Sequence, residues 1–154
     1  MSVQRKPDGY HSVTAYLIVR GAVAALDFYR RAFGAKEVMR LTMPDGSLGH
    51  AEIQFGDTRM MLADESPQRN VKSPASLGGS SVHLMVYVDD SDAAMKQALA
   101  AGAAEVRPIA NQFYGDRSGT VRDPFGHQWT LSTHVEDVSD EEMQRRVDAM
   151  AKEG

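Results

Sequence analysis

The 154-residue chain has no cysteine, which excludes disulfides and thiolate metal sites together. It has no apolar run approaching the ~20 residues needed to cross a bilayer. Its opening, Met-Ser-Val-Gln-Arg-Lys-Pro-Asp, has no apolar stretch behind the positive charges, so no secretory signal is read and the expected compartment is the cytoplasm. Clustered basic residues are missing too. The formal net charge is −4, and pairs such as Arg30–Arg31 and Arg145–Arg146 read as solvated helix faces. A nucleic-acid partner is therefore not expected, because neutralising phosphates takes clustered Lys and Arg. No cofactor fingerprint is found.

The chain does have the means to build an ordinary core. Apolar residues make up 42% and charged residues 25% of it, and its length suits one domain. Ser12–Val19 is rich in β-branched and aliphatic residues and reads as a strand ended by Gly21. Ala22–Phe33 places Ala22, Leu26, Tyr29 and Phe33 on one side at helical spacing, with Gly34 as its terminator. Strands are expected near Lys36–Met43, Leu48–Phe55 and Arg59–Ala63, separated by Pro44-Asp45-Gly46 and Gly56-Asp57. The same order then returns. Val82–Val88 alternates, Asp89-Asp90-Ser91 offers caps for a helix over Ser91–Ala101, and Gly102 ends it. Glu105–Ile109, Gln112–Arg122 and Gln128–Thr133 complete the second set. Gly-Ala-x-Glu-Val recurs at both helix-to-strand junctions, Gly34–Val38 and Gly102–Val106.

The expected class is α+β: one domain over 1–154, with module one at about 12–64 and module two at about 82–134. Each module is a βαβββ unit. The intervening 65–81 is rich in Pro, Ser and Gly and is either a lid or a mobile linker. Ser139-Asp140-Glu141-Glu142 fits a capping box for a short helix over about 139–152. That helix carries an apolar stripe of Met143, Val147 and Met150, expected to dock on its own domain or on a partner.

Several local motifs resemble the vicinal oxygen chelate superfamily, the fold of glyoxalases, bleomycin-resistance proteins and extradiol dioxygenases. Leu26-Asp27-Phe28-Tyr29 followed by Ala32-Phe33-Gly34-Ala35 looks like its first helix, and Asp123-Pro124-Phe125-Gly126-His127 like its turn before the last strand. His50-Ala51-Glu52-Ile53, Met61-Leu62-Ala63-Asp64 and Phe113-Tyr114-Gly115-Asp116-Arg117 are more like its PhnB-like branch. The resemblance covers roughly Ser12–Val138. It implies that the two βαβββ modules form a curved mixed sheet around a concave cup for a small ligand, commonly with a divalent metal in the enzymes, and that modules are often paired across two chains, hence a homodimer. The family's metal-ligand positions fall on Thr14, near Ala63, on His83 and on Thr130, of which only His83 is a good donor. No metal is expected there.

Strand alternation sorts the remaining candidates. Ala51, Ile53 and Phe55 oppose His50, Glu52 and Gln54. Leu84, Val86 and Val88 oppose His83, Met85 and Tyr87, while Trp129 and Leu131 oppose Gln128, Thr130 and Ser132. With the apolar faces under the helices, the cup is lined by Thr14, Tyr16, His50, Glu52, Gln54, Met61, His83, Met85, Tyr87, Gln128 and Thr130. The alternative is a sheet face that simply meets water. Three readings of His50 and Glu52 stay open: a surface ion pair or interface contact, a metal-free general base with its orienting carboxylate, or a relocated metal site with His83. Tyr114 and Arg117 are placed near the ligand, Arg117 either as an anion-binding guanidinium or in a pair with Asp116 or Asp123. His127 reads as structural, and His134 with Glu136 as serving the C-terminal connection. Two functions follow: a protein that binds a small, partly aromatic molecule without metal, or a glyoxalase-type lyase, isomerase or dioxygenase.

Overall fold

A computed structural model describes residues 2–154. The first module runs β1 (Tyr16–Val19), α1 (Ala22–Phe33), β2 (Lys36–Thr42), β3 (Leu48–Phe55) and β4 (Thr58–Asp64). The second runs β5 (His83–Tyr87), α3 (Ser91–Ala101), β6 (Ala104–Asn111), β7 (Asp116–Arg122) and β8 (Gln128–His134). Short α2 (Pro74–Leu77) lies between them and α4 (Asp140–Glu153) closes the chain. Each module forms a four-stranded sheet, in the orders β1-β4-β3-β2 and β5-β8-β7-β6. The first strand lies parallel to the fourth in both, Tyr16 opposite Met61 and Met85 opposite Thr130. The duplication read from the letters is a duplication of topology.

Side-chain alternation assigns the faces as expected. Leu17, Val19, Ala51, Ile53, Leu62, Trp129 and Leu131 are buried, with Leu84 and Val86 packed against them. α1 contributes Ala22, Ala25, Leu26, Phe28, Tyr29 and Ala32, so its apolar stripe meets the sheets rather than water. Gly34 ends it at φ 69, a left-handed conformation that glycine adopts without a Cβ clash. α1 has no capping side chain of its own. Instead the Asp64 carboxylate at the end of β4 accepts from the backbone N–H groups of Gly21 at 2.9 Å and Ala22 at 2.8 Å, satisfying donors that a helix start leaves orphaned.

The modules are joined by a buried polar knot. Asp123 is 4% exposed. Its Oδ2 accepts from the Tyr29 hydroxyl at 2.6 Å and the Trp129 indole at 2.9 Å, and its Oδ1 from the backbone N–H groups of Phe125 and His127. Around it pack Phe33 and Trp129, with ring centroids 4.8 Å apart, and Phe55, 5.2 Å from Trp129. His127 is structural, as read: its Nε2 lies 3.1 Å from the Ile18 carbonyl on the edge of β1.

Some boundaries differ from the sequence reading. β1 begins at Tyr16 rather than Ser12, because pairing with β4 starts at Met61, and the residues before it depart toward Tyr10, whose hydroxyl meets Glu52. β7 begins at Asp116 rather than Gln112, because Gln112–Asp116 closes a turn in which Gly115 N–H donates to the Gln112 carbonyl. Segment 65–81 contains a 3-10 turn, Pro67–Arg69, and α2, which its Pro and Ser content concealed. The Ser139 capping box holds, its hydroxyl accepting from Glu142 N–H. Of the α4 stripe, Met143 is half-buried against its own domain, while Val147 and Met150 stay exposed.

Tyr29→Phe keeps the ring and removes one donor from the buried carboxylate. It should lower unfolding free energy by about 1–3 kcal/mol in urea titration, with unchanged slope. An unaltered midpoint would mean that the knot contributes nothing to joining the modules.

Candidate functional site

On the cup face of the first sheet, a hydrogen-bonded chain runs from β1, over β4, to β3. The Tyr16 hydroxyl on β1 lies 2.7 Å from His50 Nδ1 on β3, and His50 Nε2 lies 3.2 Å from Glu52 Oε2. The other carboxylate oxygen, Oε1, accepts from the Tyr10 hydroxyl. His50 and Glu52 meet because residues two apart on a strand project to one face. Their side chains are 24% and 17% exposed, shielded enough for the pair to be more than a solvated surface contact. Burial raises the Tyr16 phenol above its usual value, so the hydroxyl keeps its proton. Tyr10 lies in a segment without regular structure, and no periodicity could have marked it. Its ring also sits under Arg59, 5.7 Å away.

Beside Tyr16 opens a cavity of about 1000 Å³. Ile18, Met43 and Ala63 give it apolar walls, and Arg20, Asp45 and Arg69 stand among its polar lining residues. Its outer wall is the start of the linker, Glu65–Arg69 with Val71. That wall is braced by Glu65, which accepts from Ser73 N–H at 2.9 Å and from the hydroxyls of Ser73 and Ser76, and pairs with Arg20 at 2.9 Å. The linker thus forms part of the cavity wall.

The second sheet presents a different chemistry. Tyr87, Met85 and His83 stand on β5 beside Ser132, Thr130 and Gln128 of β8. Thr130 and Thr120 hydroxyls lie 3.0 Å apart, and Arg107 donates to Thr120. Tyr114 reaches Ser118 at 3.4 Å. Asp116 is 3% exposed and accepts from the hydroxyls of Tyr87 at 3.0 Å and Ser132 at 2.9 Å, with His134 Nδ1 at 2.8 Å. Burial works to raise the Asp116 carboxyl, but the bonds from His134, Ser132 and Tyr87 together hold it below its usual value. Bonding to Asp116 and then Asp137 raises the His134 imidazole, which ties the C-terminal connection to the sheet as its position suggested.

Of the residues singled out from sequence, Tyr16, His50, Glu52, Gln54 and Met61 share the first sheet's face, and His83, Met85, Tyr87, Gln128 and Thr130 share the second's. Gln54 spends its amide on its own hairpin, at Gly56 O and Arg59. Arg117 is a correction. Adjacent to Asp116 on an alternating strand, it faces the other way, where its guanidinium makes a bidentate pair with Asp92 of α3 at 2.7 and 3.0 Å. It pairs with neither Asp116 nor Asp123, and its fork is already occupied.

The profile of the Glyoxalase/Bleomycin resistance protein/Dioxygenase superfamily matches residues 10–131. The chain belongs to this superfamily. An uncharacterised protein of Mycobacterium bovis is similar to it, 40% identical over 146 residues, covering 93% of this chain and 94% of that one. The X-ray structure of an Arabidopsis thaliana gene product aligns with a TM-score of 0.65 at 27% identity, over 80% of this chain and 98% of that one. The PhnB protein of Bacillus cereus shares the fold at a TM-score of 0.61 and 17% identity, over 80% and 99% of the two chains.

The positions where superfamily enzymes carry metal ligands do not suit an ion in this member. Ala63 offers no donor, Thr130 commits its hydroxyl to Thr120, and Thr14 precedes β1. Among the described residues no three His, Asp or Glu are grouped to hold a metal, so His83 does not join His50 and Glu52.

The braced wall should respond to acid. Hydrogen bonds from Ser73 and Ser76, with the Arg20 pair, hold the Glu65 carboxyl at about 2. Because that value lies below the 4.5 of the free group, the brace acts fully above pH 4.5 and is lost as pH falls toward 2. Hydrogen exchange in 65–81 should therefore rise over that window, beyond the intrinsic pH dependence. In Glu65→Gln this extra rise should be absent.

Proposed function

We propose that this protein binds a small, partly aromatic molecule in the cup of its first module, without a metal. The cavity beside Tyr16 carries the reading: it is of ligand size, with mixed apolar and polar walls and a braced rim. Family membership supports it, since the superfamily includes proteins named for bleomycin resistance as well as enzymes. The unsuitable donors at the usual ligand positions support the metal-free part. A fluorescent naphthalene probe should bind at micromolar affinity, and prolonged chelator treatment should leave that affinity unchanged. Ile18→Trp, which fills the cavity from a side chain facing away from the core, should abolish binding while leaving the melting curve near wild type. Binding that disappears with the chelator would overturn the metal-free reading.

A second reading is a metal-free acid–base enzyme of glyoxalase type. The observation favouring it is the joined His50–Glu52 pair, a base with an orienting carboxylate.

We also infer a homodimer. Val147 and Met150 on α4 are 37% and 46% exposed, and Met85 and Tyr87 on the second sheet are 49% and 63% exposed. Apolar surface of this kind on separate elements is what a second copy would cover. Light scattering at micromolar concentration should return twice the mass of one chain. A monomer there would refute the inference.

A further inference from the structure

With His50 as a neutral imidazole, the hydrogen-bonded chain on the first sheet has one direction in which its protons can be placed. Glu52, as a carboxylate, accepts and cannot donate. The phenol of Tyr10 has one proton and gives it to Oε1. Oε2 faces His50 Nε2, so that nitrogen carries the single proton of the neutral imidazole. His50 Nδ1 is then a bare lone pair, and the Tyr16 hydroxyl 2.7 Å away must donate to it. Tyr16 has now spent its proton. What its oxygen still offers, at the wall of the cavity, is lone pairs alone. Of the four side chains, Tyr16 is the one that lines the cavity.

We propose that Tyr16 is a specificity-determining acceptor: the cavity selects small aromatic or enolic molecules that carry a hydroxyl donor and discriminates against their ethers and carbonyl analogues. This deepens the reading of the cup as a ligand pocket and rests on it. An acceptor-only ligand group placed against Tyr16 would set lone pair against lone pair, leaving both without a partner where the ligand displaces water. A phenolic or enolic hydroxyl instead continues the chain: ligand to Tyr16, Tyr16 to His50, His50 to Glu52. Tyr10 and Glu52 act at a distance from the ligand, as positioning residues that fix this polarity. The chemistry of the ligand is therefore encoded three side chains away from it.

The test uses two probes of equal shape and opposite hydrogen-bonding character, 2-naphthol and 2-methoxynaphthalene, titrated against the full chain. Wild type should bind the naphthol about tenfold tighter, the yield of one well-made hydrogen bond. Tyr16→Phe keeps the ring and should erase the gap while still binding the methoxy probe. Glu52→Gln, whose amide both donates and accepts, lets the chain run in either direction and should narrow the gap, an effect that a merely structural role would not produce. Equal affinities in wild type, or a gap that survives Tyr16→Phe, would overturn the proposal and leave the pocket standing. If neither probe binds wild type, the pocket reading falls and takes this one with it.

Discussion

The buried carboxylate of Asp123 is the constraint on which the arrangement of the two modules depends. A charge withdrawn from water at this depth is tolerable only if donors replace the lost solvent. Here four do, and they come from different places: Tyr29 on the helix of the first module, Trp129 on the last strand of the second, and two backbone N–H groups of its own turn. Burial, and then Asp123, raises the Tyr29 phenol well above its usual value, so the donor keeps its proton. The aromatic cluster of Phe28, Tyr29, Phe33, Phe55, Phe125 and Trp129 then closes around the knot. Apolar contact alone would let two similar modules slide; directional bonds to one carboxylate fix their register.

With the core faces committed, strand alternation leaves the opposite faces free to diverge, and the register shows how far they have. Tyr16, Met61 and Glu52 lie in line across the first sheet. Met85, Thr130 and Thr120 occupy the corresponding line in the second. One copy has an imidazole and a carboxylate joined to two phenols. The other also joins a carboxylate to an imidazole and a phenol, Asp116 with His134 and Tyr87, but at the start of β7 and beside a floor of hydroxyls from Ser132, Thr130 and Thr120. The duplicated scaffold keeps its packing and places its polar groups differently.

Much of this was legible in the sequence because it is periodic. Three elements, Ala22–Phe33, Leu48–Phe55 and Ser91–Ala101, stand at the bounds that spacing and terminating glycines set. The pairing of His50 with Glu52 follows from a period of two. What was not legible is what periodicity does not encode. Tyr10 reaches Glu52 from an irregular segment forty-two residues away in sequence, and nothing local marks it. Asp123 reads as a turn residue, and its long-range role depends on Tyr29 lying 94 residues earlier. Arg117 illustrates a third limit: alternation places it opposite Asp116, but the pull of Asp92 on α3 is a tertiary fact. The helical turns in 65–81 escaped because Pro and Ser are loop formers that also start helices.

The cavity's location follows from two adjacent carboxylates with opposite duties. Successive side chains at a strand end point to opposite sides, so Asp64 turns toward α1 and Glu65 toward the linker. Asp64 binds the start of the helix through Gly21 and Ala22 and the start of β3 through Leu48. Glu65 gathers Arg20, Ser73 and Ser76. The first carboxylate sets the end of the parallel β1–β4 pair against the core, and the second folds the linker back over the same end. Tyr16 sits between them on β1, at the base of the space these two anchors define. In the proposed reading, a ligand entering there meets a wall held by charge-assisted bonds and the Tyr16 hydroxyl beside His50.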